Sequence, residues 1–414
     1  MQDAARGARV PFAVVVAALG YFVDMYDLVL FSILRVPSLK GLGLEGGALT
    51  DTGALLLNVQ LAGMIAGGFL LGAIGDRRGR LSAVFGSIVI YSLANFANAF
   101  VGSVPAYAAA RFVAGFGLAG ELGAGITLVS ELLPPGRRGL GTTVVASVGL
   151  TGALAAGAAA ELLLARYGAA GWRVAYGLGG VMGLLLLVLR FGVLESSLFA
   201  RLEGEAVRRG DLRLLLRPRE RLLRFARVVA IGVPIWFAGG VLFIFAPEIG
   251  GALGLAERPT GARTIFWSYC GVVFGDLTSG LLSQALKSRK RVVGAFLGLL
   301  AASLFALLLW GGRSLPGFYA IMTFVGFATG YWVLFVTTAS EQFGTNLRAT
   351  VTTSAPNLVR GTAIPVSALW LALKGPLGLI EATLAVGLGA IALALWALSG
   401  MRESFAIDLD TLER

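Results

Sequence analysis

Histidine is absent from this chain of 414 residues, and cysteine occurs once, at Cys270. Without histidine, any proton chemistry must run through Asp or Glu, and a histidine-based metal site is excluded. A single cysteine allows no disulfide within the chain. Charge is scarce too. Only 14% of residues are Asp, Glu, Lys or Arg, against about 25% in soluble globular proteins. The chain is instead 57% hydrophobic, with a mean hydropathy of +0.82. These figures predict an integral membrane protein, divided by spans rather than by globular domains. The 59 glycines suit close helix packing in lipid. The net charge of +11 is spread over short loops between apolar runs, so no nucleic-acid partner is expected. No cleavable signal peptide is expected either, because the first apolar stretch is long and contains Asp24 and Asp27.

Twelve apolar segments of spanning length are expected, near 10–35, 50–75, 81–101, 104–133, 140–165, 171–194, 226–248, 262–286, 292–311, 316–340, 350–373 and 377–400. Two loop signals repeat. The stretch from Leu70 through Gly72, Gly75, Asp76, Arg77, Gly79 and Arg80 is a glycine-rich basic turn, echoed in degraded form from Leu281 to Arg291. Glu131 through Arg138 is echoed by Glu341 through Arg348. An offset of roughly 210 residues implies an internally duplicated membrane protein. The expected organisation is a first six-span half at 1–195, a basic linker at 196–225, a second half at 226–400 and a tail at 401–414. Arg and Lys concentrate in the linker and in the loops on its side. The positive-inside rule therefore puts both termini and the central loop in the cytoplasm, and a bacterial inner membrane is the expected location.

A charge at bilayer depth costs at least roughly 2.5–3.5 kcal/mol, so it faces a cavity or a partner. Asp24 and Asp27 share one face of the first span. Arg111 and Glu121 lie within the fourth, Asp276 within the eighth and Arg360 within the eleventh. If Asp24 and Glu121 meet, like charges and desolvation would suit one of them to carry a proton. Arg360, in the string Asn357-Leu358-Val359-Arg360-Gly361, suits a carboxylate or phosphate clamp. A packing pair with Asp276, Asn58 or Gln60 is the alternative. Asp276 itself is open between a second protonation site, a cation ligand and a partner for Arg360. Arg35, near a span end, is expected to snorkel to the surface.

Twelve spans in two similar halves, with the turn Gly72, Gly75, Asp76, Arg77, Gly79 and Arg80, resemble the major facilitator superfamily. Three further strings are similar to its proton-coupled metabolite, phosphate and sugar symporters: Asp24-Met25-Tyr26-Asp27, Arg111 through Gly120-Glu121, and Leu194-Glu195-Ser196-Ser197-Leu198-Phe199. The resemblance implies an all-α fold of two pseudo-symmetric six-helix halves that rock about a central site, no enzymatic activity and a monomer. It also places the first and fourth spans side by side, which makes Asp27–Arg111 a candidate pair. Asp24, Asp27, Arg111 and Glu121 are then the expected coupling residues. Arg360, Asn357, Tyr26, Trp236, Tyr331 and Trp332 are the expected substrate contacts, with Asp276 a second charge site. Gly72, Gly75, Asp76, Arg77, Gly79, Arg80, Glu131, Arg138, Glu341 and Arg348 form an expected cytoplasmic gate between the halves.

The function expected from these residues is proton-coupled symport of a small anionic metabolite, such as a carboxylate or phosphate. The alternative is a proton antiporter for organic cations or drugs, or a metal-ion transporter, built on the buried carboxylates. The partners expected are the small solute, protons and the lipid bilayer, with no cofactor and no resident metal. Glycine strings such as Gly115-x-Gly117-x-x-Gly120 fall inside a span, so a dinucleotide reading fails on context.

Overall fold

The structure, a computed structural model, describes residues 2–78, 80–119, 135–194, 219–343 and 345–405. Among the described residues all regular structure is helical and no strand occurs. In chain order the helices are α1 (Gln2–Gly41), α2 (Gly47–Arg78), α3 (Arg80–Asn98), α4 (Val104–Leu118), α5 (Pro135–Tyr167) and α6 (Gly171–Leu194). They continue with α7 (Arg219–Phe237), α8 (Ala246–Ala252), α9 (Gly261–Ala285), α10 (Arg289–Trp310) and α11 (Leu315–Thr329). The last four are α12 (Trp332–Glu341), α13 (Thr345–Gly361), α14 (Ala363–Leu377) and α15 (Leu379–Ser399).

Local chemistry sets several helix starts. Ser103 and Ser314 cap α4 and α11, each accepting from the backbone N–H three residues on, with proline in the first turn. Thr260 and Ser288 cap α9 and α10 in the same way. Among the described residues, three of the expected spans are interrupted. The seventh runs from α7, which contains Pro234, through a π-helical turn at Ala238–Phe243 into α8. A proline that removes one backbone donor accounts for that loss of regularity. The tenth is split into α11 and α12 at Gly330–Tyr331, and the eleventh into α13 and α14 at Thr362. Among the described residues, seven helical stretches are long and apolar enough to cross a membrane on those grounds alone. Other segments of spanning length hold charge or a break, as α1 does with Asp24, Asp27 and Arg35.

The chain divides into two compact units. One comprises residues 1–44 and 59–207, the other residues 45–58 and 208–414. In the first, α1 packs along α5, and α3 lies against α4 and α6. In the second, α9 packs along α11, and α7 along α15. Also within the second unit, residues 45–58 are fastened to the rest. Thr50 donates to Glu248 at 3.1 Å, Ser367 donates to Asn58 at 2.9 Å, and Lys374 donates to Asp51 at 2.5 Å.

The duplication is visible as geometry. In the first unit, α2 and α4 approach so closely that a Cβ on Gly63, Gly67 or Gly115 would strike the carbonyl of Phe112, Phe116 or Gln60 respectively. In the second, α9 and α11 repeat this. A Cβ on Gly271, Gly275 or Gly326 would strike the carbonyl of Thr323, Phe327 or Ser268. Each α2 residue has its counterpart 208 positions on in α9, and each α4 residue 211 positions on in α11. Small residues that let backbones touch are how helices pack without a hydrophobic driving force between them.

Candidate substrate and coupling sites

The first unit buries a cationic aromatic cluster. Arg111 of α4 is fully buried and donates to the Gln60 side chain of α2. Its guanidinium lies 4.9 Å from the Phe31 ring centroid and 5.7 Å from that of Tyr176. Both distances suit cation–π attraction. The Tyr176 and Tyr107 hydroxyls share a 2.6 Å hydrogen bond. Tyr107 donates onward to Ser38 at 3.2 Å, and Ser38 donates to the Arg35 carbonyl at 3.2 Å. Asp27 is fully buried with Oδ1 against Gly179 of α6, where a Cβ would collide with it. Asp27 and Arg111 both act electrostatically on Tyr176, so the two opposite charges share one locality. Asp24 and Tyr26 are buried on the same helix.

Arg35 corrects an expectation. Its side chain is 0% exposed and does not snorkel to a surface. Tertiary packing of α1 encloses it, which its place near a span end does not reveal. Sequence reading placed Gln60 only as an alternative partner for Arg360, whereas it pairs with Arg111, and it did not single out Tyr107 or Tyr176. The spacing of Tyr107 and Arg111, four residues apart on one helix face, was the available signal for one of them.

The second unit holds a further deep cation. Arg360, near the end of α13, is 4% exposed, and its guanidinium lies 6.0 Å from the Trp332 ring centroid. Tyr269 of α9 is within reach of its charge. Asn357 lies one turn earlier on α13 and is half-buried, as are Trp332 and Trp236. Tyr331 is fully buried and donates its hydroxyl to the Ile231 carbonyl at 2.9 Å, bracing the start of α12 against α7. The alternative partners considered for Arg360 have bonds elsewhere. Gln60 accepts from Arg111, Asn58 accepts from Ser367, and Asp276 Oδ1 accepts the Val333 backbone N–H at 3.2 Å.

Glu341, expected in the cytoplasmic gate, has contacts within its own unit. It pairs with Arg289 of its own unit at 3.1 Å and accepts from Ser404 at 2.7 Å. Glu403 gathers the same corner by accepting from Ser288, from the Arg289 N–H at 2.9 Å and from the Ser404 N–H at 3.0 Å. Burial alone would raise the Glu403 carboxyl above its ordinary value. The hydrogen bonds from Ser288 and from the backbone of Arg289, Phe405 and Ser404 outweigh it and hold the carboxyl lower. Gly79, Glu121 and Glu131 lie outside the described residues. So do the side chains of Asp76, Arg77, Arg80, Arg138 and Arg348, and Gly72 and Gly75 beyond their helical backbone.

Residues 17–368 match the model of the Major Facilitator Superfamily. The chain belongs to that superfamily. It is accordingly a multi-pass membrane transporter of small molecules rather than an enzyme, with the superfamily's twelve helices in two six-helix halves. Among solved superfamily structures, the inward open conformation of the xylose transporter XylE from E. coli superposes with a TM-score of 0.73 at 18% identity, covering 97% of this chain and 98% of that one. Among superfamily relatives in sequence, a probable 4-methylmuconolactone transporter of Cupriavidus pinatubonensis is 26% identical, with 95% of this chain and 90% of the relative covered. A 3-(3-hydroxy-phenyl)propionate transporter of Escherichia coli is 27% identical, covering 87% of each.

Proposed function

We propose that this chain imports a small ring-bearing carboxylate in symport with protons, across a bacterial inner membrane and with both termini in the cytoplasm. The observation that carries the reading is Arg360, buried within the expected eleventh span with the Trp332 ring 6.0 Å away. A guanidinium offers a planar fork that fits a carboxylate with two hydrogen bonds. An indole beside it offers a flat apolar face for a ring. The names of the two relatives, one a lactone carrier and the other an arylpropionate carrier, fit the same solute class. The orientation rests on the basic loops and linker.

Proton coupling is assigned to the first unit. The acids Asp24 and Asp27 are buried on α1, and Asp27 lies in the locality of Arg111. A proton taken up by Asp27 cancels its attraction for the guanidinium and lets Arg111 move. Loss of the proton to the cytoplasm restores that attraction and resets the carrier. Glu121 is a further candidate from the sequence.

The test is proton flux in proteoliposomes loaded with a pH-sensitive dye. They are challenged first with pooled aromatic carboxylates, including 3-(3-hydroxyphenyl)propionate, and then with pooled organic cations. Internal acidification with the carboxylate pool is the expected result, abolished by Arg360→Gln. A response confined to the cation pool, with protons moving against the solute, overturns the reading in favour of an exporter.

A further inference from the structure

The break in the tenth span is held open by a side chain from another helix. Helix α12 begins at Trp332 directly after Gly330 and Tyr331, and its N-cap residue, Tyr331, contributes no side-chain cap. A helix start leaves backbone N–H groups without partners, and within a membrane no water supplies them. Asp276 of α9 supplies the missing acceptor. Its Oδ1 takes the Val333 N–H at 3.2 Å, and the Trp332 N–H also turns to its carboxylate. Two glycines make the reach possible. A Cβ on Gly330 would fall 2.5 Å from the backbone of Gly275 and Asp276. On the opposite side, Tyr331 is tied to Ile231. The first turn of α12 is therefore clamped between α9 and α7, and the residue at its start is Trp332, the ring that faces Arg360.

We infer that Asp276 is a positioning residue for the substrate site: it caps α12 from a neighbouring helix and thereby sets Trp332 against Arg360. The role is that of a hydrogen-bond acceptor at the head of α12, in place of the proton carrier, cation ligand or Arg360 partner that its sequence position leaves open. A cap aligned with the helix dipole favours a negative group at that place. The inference rests on the reading of Arg360 and Trp332 as solute contacts, and its test separates the two.

The first measurement needs no solute. The emission spectrum of Trp332 is obtained in purified full-length protein as the difference between each background and the same background carrying Trp332→Phe. The backgrounds are wild type, Asp276→Asn and Asp276→Ala. Asn keeps a carbonyl acceptor at Oδ1 and Ala does not. The expected result is a Trp332 emission shifted in D276A and returned towards wild type in D276N. Equal spectra in all three backgrounds overturn the inference. Asp276→Ser, whose hydroxyl falls short of Val333, takes the place of Ala if that variant does not fold.

The second measurement is uptake of the carboxylate found in the proteoliposome screen. D276A should raise KM about tenfold with kcat changed less than about threefold, and D276N should recover most of the loss in KM. Uptake by D276N that has lost its dependence on the proton gradient overturns the inference in favour of a proton carrier. If Arg360→Gln leaves KM unchanged while the Trp332 spectra follow the pattern above, the solute site fails and the cap stands.

Discussion

Glu341 at the end of α12 accepts from Arg289 at the start of α10, 3.1 Å away, with side chains only 10% (Arg289) and 13% (Glu341) exposed. A pair this enclosed differs from a surface ion pair because each partner alone would be a poorly solvated charge. Arg289→Ala is expected to destabilise the protein by about 3 kcal/mol, while the double variant R289M/E341L recovers most of that loss. Thermal unfolding in detergent across a double-mutant cycle checks it. Additive losses would show that the two residues do not act as a pair.

The pair of Lys374 and Asp51, 2.5 Å apart, should behave otherwise, since these side chains are 26% and 65% exposed. Asp51→Asn is expected to change stability by less than about 1 kcal/mol, and less again in high salt. The measurement is the melting temperature at low and at 1 M salt.

Glu403 predicts an acid limit for the corner around Arg289. Its carboxyl is held below the ordinary value of 4.5 in the folded protein. Its contribution is therefore present above that value and is lost as pH falls through the lowered folded value. Glu403→Gln should lower stability at pH 7 and flatten the decline below about pH 4.5. Unfolding midpoints over pH 3–7 decide it. A decline of the same steepness in both proteins would remove Glu403 as a source.

Glycines of two kinds should give opposite signs. Gly271 touches the Thr323 carbonyl, whereas nothing lies within 4 Å of a Cβ built on Gly389 in α15. Gly271→Ala is expected to cost about 1–3 kcal/mol through overpacking. Gly389→Ala is expected to gain about 0.5 kcal/mol by restricting the unfolded chain. Chemical denaturation of both variants provides the comparison.

Asp27→Asn tests the proton step. With Asp27 always neutral, uptake driven by a proton gradient is expected to fall at least about tenfold, while solute exchange without a gradient persists. Unchanged gradient-driven uptake would take Asp27 out of the mechanism.

Much of this was legible locally. Spans follow from runs of apolar residues, and buried acids and arginines stand out because charge is so rare in such runs. The repeat of the Gly72–Arg80 turn near Leu281–Arg291 already implied two halves. The matching close approaches of Gly63 with Phe112 and of Gly271 with Thr323 express that duplication in three dimensions. The breaks were less legible. Gly330 and Thr362 are unremarkable letters inside apolar runs, and only packing against other helices makes a discontinuity tolerable there.

The sequence by itself determined that this is a membrane protein of repeated spans, because hydropathy, loop charge and glycine content are properties of short segments. It also marked Asp24, Asp27, Arg111, Asp276 and Arg360 as buried charges, though not Arg35. Only the tertiary structure decided their partners. Asp276 meets the Val333 N–H across 57 positions of chain, and Arg111 meets Gln60 across 51. Such pairings depend on which helices lie side by side and at what height. That is set by the sum of many close backbone contacts and by no single local signal.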